Sequence, residues 1–188
     1  IDLSGDFRLG DGAAFTRHYG GAHPCPERLG TFAYGLADAF PGEVKGRRRI
    51  AHPGCFATAL QLGLLPLAGL GVDHVSAFAI TGSSGSGMAP SDTTHHPTRA
   101  TDFRAYKALA HQHQGEVAQL CARLGLDTAV AFVPHSAPLV RGIFATLQFQ
   151  LPEGITGADL KARLETTCAD RPFLRLVEGS PKVAAVTG

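Results

Sequence analysis

The chain has 188 residues, 44% of them hydrophobic and 18% charged, with 17 lysines and arginines against 16 aspartates and glutamates for a formal charge of +1. That is enough apolar material for one soluble domain, or one and a fraction, with a sizeable core. The near-neutral balance argues against a nucleic-acid surface, which requires clustered, uncompensated cations, and the single basic run, Lys45–Arg49, reads as a solvated loop; no run of about 18 apolar residues is present to span a bilayer. No charged segment followed by an apolar one opens the chain, so no secretion signal is visible and the expected location is the cytoplasm.

Taken from the start, "IDLSGDFRL" reads as though a strand were already under way, and both ends of the sequence look cut. Residues 1–50 are rich in Gly, Pro and His, which predicts loops, a short helix near "YGLADAF" and little regular sheet. "IAHPGC" reads as strand into turn, and "FATALQLGLLPL" as an apolar helix stopped near Pro66. "HVSAFAIT" (74–81) is a β-type run that gives way to a long polar loop, "GSSGSGMAPSDTTHHPT", in which His95 and His96 read as solvated.

Val117, Leu120, Cys121 and Leu124 recur at helical spacing and Gly125 closes the pattern. "TAVAFVPH" follows as a strand. In "GIFATLQFQL" the residues Ile143, Ala145, Leu147, Phe149 and Leu151 alternate with others, the period of a sheet with one buried face. "ADLKARLETTCAD" places Leu160, Leu164 and Cys168 on one helical stripe, and "FLRLVE" and "KVAAVTG" read as two more short strands. The expected fold is α+β, a mixed β-sheet with helices packed on one face.

Four cysteines stand far apart with no C-x-x-C pair, against both a zinc ribbon and a disulfide scaffold. Cys121 and Cys168 lie on apolar stripes and read as core residues, and Cys25, between two prolines, as a loop residue. Cys55 differs. It follows Pro53-Gly54 and opens a helical pattern, where unpaired N–H groups and the helix dipole are expected to lower a thiol pKa and yield a nucleophilic thiolate. A buried cysteine at a strand–helix junction is the competing reading.

A base is available in "HQHQGEV", where His111, His113 and Glu116 combine imidazoles with a carboxylate able to fix a tautomer. His-x-His also occurs in metal sites, but no second ligand cluster stands at a familiar interval, so no metal is expected. "TGSSGSG" could present backbone N–H groups to a phosphate, although it does not fit the dinucleotide fingerprint G-x-G-x-x-G. Arg8, Arg99, Arg104, Lys107 and Arg141 are candidates to clamp a carboxylate or phosphate.

In their order, "IDLSGDFRL", "YGLAD", "HPGCFAT", "SGSG", "FRAYK", "HQHQGEV" and "FVPHSAPLVRGIFAT" resemble the N-acetyl-gamma-glutamyl-phosphate reductase family of NADPH-dependent arginine-biosynthetic enzymes, over nearly the whole chain. The resemblance implies Cys55 as nucleophile, His111 as acid/base, and His113 and Glu116 in support. It implies Ser83, Ser84 and Gly85 near the phosphates of NADP, and Arg104, His135 and Arg141 near an acyl-phosphate substrate. It also implies that residues 1–50 end a dinucleotide-binding Rossmann domain. Residues 51–188 would then form the catalytic and oligomerisation domain of a homodimer or homotetramer.

Departures stand at His52, Phe56 and Ala57, where the family has Asn, Tyr and Pro, and at Gln112 and Gln114-Gly115, where it has Arg and Thr-Pro. They leave thiol and imidazoles in place and bear on the acyl group. A related reductase of lysine biosynthesis, a distant aspartate-semialdehyde dehydrogenase, a Cys-His hydrolase or acyltransferase without nucleotide, and a non-catalytic dimerisation module remain alternatives.

Overall fold

The computed structural model describes residues 1–187, apart from the side chain of His96. Helix α1 (Gly12–Tyr19) is capped by Asp11, whose side chain accepts the Ala14 amide at 2.7 Å, and it buries Phe15. Strand β1 (Ala33–Tyr34), a single turn α2 (Pro41–Val44) and strand β2 (Ile50–Ala51) follow. β1 and β2 pair in parallel, and Asp2 bridges Ala51 in parallel on the other side of β2.

The helix expected at "YGLADAF" does not form. Gly35 instead continues β1, donating its amide to the Ala51 carbonyl at 2.8 Å, and a Cβ there would lie 2.8 Å from Ile50 Cγ2. Such close backbone pairing wins over helical propensity, and Leu36 and Ala39 are buried beyond it through a turn.

Helix α3 (Cys55–Leu64) begins where Pro53 and the extended Gly54 permit, and passes into a 3-10 turn at Leu65–Leu67 around Pro66. Strand β3 (His74–Thr81), the short α4 (His96–Arg99), strand β4 (Arg104–Ala105), helix α5 (Gln114–Leu124), strands β5 (Ala129–Ser136) and β6 (Ile143–Gln148), and helix α6 (Gly157–Ala169) complete the order. α5 stops at Gly125, whose φ of 63° is readily adopted only without a Cβ.

The main sheet has the order β4-β5-β3-β6; β3 and β5 run parallel over eight residue pairs, whereas β4 and β6 join antiparallel. Alternation sorts its two faces. Val75, Ala77, Ala79 and Phe132 are fully buried, with Ile143, Ala145 and Leu147 packed on the same core beside Phe56, Leu60 and Leu64 of α3 and Val117 and Cys121 of α5. The other face presents Phe78, Ile80, Val133, His135 and Phe144, and Phe78 is 44% exposed. Helices on one face and a mixed sheet match the expected class.

α6 carries a complete capping box between Thr156 and Asp159 yet buries no residue. Cys168 is accordingly half-buried, not a core residue as its spacing suggests. Neither "FLRLVE" nor residues 182–187 of "KVAAVTG" forms a strand; a 3-10 turn (Val183–Ala185) stands there, and Gly188 lies outside the described residues. Phe173, Leu176, Val177 and Val186 are exposed, so neither run has a packed face to hold it as a strand. Among the described residues no helix is long and apolar enough to cross a membrane.

Candidate active site

β2 feeds Pro53-Gly54, and Cys55 is the first residue of α3, exposed on a cleft of about 880 Å³. Gly54 has no space for a side chain: a Cβ would lie 2.2 Å from His113 Nε2, so the imidazole fills that volume. The Gly54 amide donates to Glu116 Oε2 at 2.9 Å. Turn and helix α5, 62 residues apart in sequence, are thus locked together beside the thiol.

The thiol differs from expectation in one respect. Burial pushes its pKa up and outweighs the backbone amides of Cys55 and Phe56, which act in the opposite direction. A helix start stabilises a thiolate only to the extent that the surrounding protein leaves it solvated, so the resting group is the thiol.

The segment before the histidines is held in an unusual conformation. Lys107 and Leu109 have φ of 44° and 56°, left-handed values uncommon for side-chain-bearing residues. Amide bonds from Tyr106 to the Pro134 carbonyl (3.0 Å) and from Leu109 to the Phe132 carbonyl (2.9 Å) pin this loop to β5. His111 then enters the cleft with Phe56, Tyr106 and Phe132 edge-on to its ring.

His111 Nδ1 accepts the His113 amide at 3.2 Å, which assigns the proton of the neutral ring to Nε2. Burial lowers the pKa of His111 to about 4, with Lys107 adding to the effect. That of His113 falls to about 3, by burial first and then by His111, Arg8 and Lys107. His113 Nε2 stands 4.0 Å from Glu116 Oε1.

Glu116 is fully buried. Besides the Gly54 amide, its Oε2 lies 2.7 Å from the Tyr34 hydroxyl, and its Oε1 lies 3.6 Å from Arg8 Nη1. Its backbone carbonyl accepts from Gln61 of α3 at 2.7 Å. Arg8 is itself fixed by the carbonyls of His52 (2.8 Å) and Leu3 (3.0 Å). Burial raises the carboxyl pKa, opposed by the Gly54 amide, the Tyr34 hydroxyl and Arg8.

With this geometry in place, comparison with known proteins is informative. The family model of the semialdehyde dehydrogenase dimerisation domain matches residues 55–188, beginning at the cysteine. The chain belongs to the semialdehyde dehydrogenase family. It is 40% identical over 194 residues to an N-acetyl-gamma-glutamyl-phosphate reductase of Halorhodospira halophila, covering all of this chain and 56% of that protein. It is 39% identical over 183 residues to LysW-L-2-aminoadipate 6-phosphate reductase of Deinococcus radiodurans, covering 95% of this chain and 51% of that one. The chain therefore spans about half the length of the curated relatives it matches. Aspartate semialdehyde dehydrogenase II of Vibrio cholerae shares the fold, with a TM-score of 0.57 over 75% of this chain and 51% of that one at 14% identity.

Within this semialdehyde dehydrogenase fold, Cys55, His111, His113 and Arg104 line one cleft, with Glu116 directly behind. Arg104 is paired with Asp102. His135 and Arg141 are not brought there. His135 stacks on Phe103 on the helix-free face of the sheet, because its position in β5 alternates with that of the inward Pro134 and Ser136, and Arg141 is exposed in the following loop.

The glycine-serine loop divides. Gly85 lines the cleft, but Ser83 and Ser84 spend their amides on the carbonyls of Leu139 (2.8 Å) and Val140 (3.0 Å). Sequence reading passed over Tyr34, Gln61 and Tyr106. Tyr106, within "FRAYK", was the one carrying a signal; Tyr34 and Gln61 have none, being an aromatic and an amide in ordinary β and helical runs.

Proposed function

We propose that this chain supplies the thiol-bearing half of an NADP-dependent acyl-phosphate reductase that makes a semialdehyde through a cysteine thioester. The observation that carries the reading is Cys55 at the start of α3, opening on the same cleft as His111 and His113. Cys55 Sγ attacks the acyl-phosphate carbonyl, the carbon–oxygen bond to phosphate breaks, and phosphate leaves with the electron pair. Amides at the start of α3 face the developing oxyanion. His111, neutral at rest, takes the thiol proton at Nδ1 in exchange for its 3.2 Å bond from the His113 amide, and later returns one as aldehyde and thiol separate. His113 fills the space at Gly54 and holds the turn, and Glu116 fixes both through its bond to the Gly54 amide.

NADPH supplies the hydride when bound. Ser83 and Ser84 are left to meet its phosphates through their hydroxyls, since their amides bond to the carbonyls of Leu139 and Val140. The substrate best supported is N-acetyl-gamma-glutamyl phosphate, the substrate named for most of the curated relatives. A second reading, a carrier-linked aminoadipate 6-phosphate, is favoured by the 39% identity to the Deinococcus protein. A second copy of the chain covers the helix-free face of the sheet, in keeping with the family's description as a dimerisation domain.

The test is oxidation of aldehyde by the complete enzyme. With NADP, the matching semialdehyde should be oxidised only when inorganic phosphate is present. Hydrolysis of acyl phosphate with no NADP chemistry under any condition would establish the hydrolase instead.

A further inference from the structure

The mechanism above leaves one buried charge unused. Arg99, at the end of α4, is only 6% exposed and lines the same cleft as Cys55. Its Nη2 donates to the Thr81 carbonyl at 3.0 Å, its Nη1 reaches Ser86 Oγ only at 3.5 Å, and its Nε is buried with no partner. Among the described residues no carboxylate lies within salt-bridge distance of it, in contrast to Arg104 beside Asp102 and Arg8 beside Glu116.

A guanidinium cannot shed its proton to escape burial. An uncompensated one, held by a carbonyl and a hydroxyl with donors left over, is suited to receive an anion. Tyr106 lines the cleft together with Cys55 and Arg99.

We infer that Arg99, with the Ser86 hydroxyl on the same cleft, forms the subsite for the phosphoryl group that leaves the acyl carbon. The inference rests on the acyl-phosphate reading and names the residue that receives its leaving group. The acyl-phosphate reading makes the anion a phosphate, whose tetrahedral oxygens can meet both the guanidinium fork and the Ser86 hydroxyl, whereas the hydroxyls of Thr93 and Thr94 are bonded to Ser91. As the sulfur–carbon bond forms and the carbon–oxygen bond breaks, the phosphate dianion gains charge beside this fixed cation. The same contact holds inorganic phosphate for the reverse reaction.

The test uses the complete enzyme and inorganic phosphate as the probe, by calorimetric titration and by steady-state aldehyde oxidation. Arg99→Gln should weaken phosphate binding roughly ten- to hundredfold and raise the phosphate KM alike, as expected for loss of a charge-assisted bond. The aldehyde KM should stay within about twofold, since only the phosphoryl contact is removed. Arg99→Lys, which keeps the charge without the fork, should recover part of the loss and guards against a Gln variant that fails to fold. Phosphate affinity equal to wild type in either folded variant overturns the subsite. So does a rise in aldehyde KM with phosphate KM unchanged, or a wild-type enzyme that does not bind phosphate. Phosphate binding that depends on Arg99 in a protein that oxidises no semialdehyde would keep the subsite and sink the reductase reading.

Discussion

Two parts of the cleft respond to burial in opposite ways. In the part built around Cys55, His111 and His113, desolvation raises the thiol and lowers both imidazoles, so these groups rest neutral. In the part built from residues 81–104, Arg99 is as buried as His113 but keeps its charge, with a carbonyl and a distant hydroxyl for company. Burial neutralises groups whose pKa lies near neutrality and cannot neutralise a guanidinium. The first region is suited to moving protons and the second to holding an anion, and the same low-dielectric environment produces both.

The sharpest way to break this contrast is to remove the proton carrier. His111→Ala should lower turnover of the complete enzyme by roughly 10²- to 10⁴-fold, the usual size of a general acid–base contribution, while leaving phosphate affinity unchanged. Loss of phosphate affinity alongside turnover would show that the two regions are not separable.

A smaller effect is expected in stability. With folded pKa values of about 4 and about 3 against 6.5 when free, the histidines stay neutral while the unfolded chain takes up protons. Their contribution is therefore complete above pH 6.5 and is lost as pH falls, at no more than about 1.4 kcal/mol per pH unit for each ring. Glu116 acts with the other sign: its raised pKa weighs against the fold as pH climbs past 4.5, which blunts the low end of the curve. Thermal unfolding followed from pH 7 to 5 should show a falling melting temperature, with a shallower fall for His111→Ala. Parallel curves would mean that His111 titrates normally in the fold.

Much of this was legible in the sequence where local chemistry and packing agree. "HVSAFAIT" is β3 over the same residues, α3 starts after Pro53-Gly54 and gives way near Pro66, and α5 stops at left-handed Gly125. Cys55 and the His111–Glu116 segment were visible because proline-glycine turns and clustered imidazoles are rare in plain structural runs. Position relative to a sheet was not visible. His135 and Arg141 sit in a suggestive block, yet the alternation of β5 sends His135 to the opposite face from the cysteine.

The sign of the thiol shift was equally hidden. The helix start is encoded locally, whereas the desolvation that overrides it comes from burial in the fold. "YGLADAF" failed for the same reason, since pairing with Ala51 is a contact 16 residues away. Arg99 stood among several candidate cations in the sequence, and only its burial in the fold singles it out.

The most direct test of the account is to catch the acyl group. The complete enzyme is mixed with N-acetyl-gamma-glutamyl phosphate in the absence of any nicotinamide nucleotide, quenched in acid, digested and weighed by mass spectrometry, with Cys55→Ser as the control. The peptide bearing Cys55 should gain the mass of the acyl group through a hydroxylamine-labile bond, and the control should gain none. An acyl group on another residue, or substrate consumed with Cys55 unmodified at every time point, would contradict it.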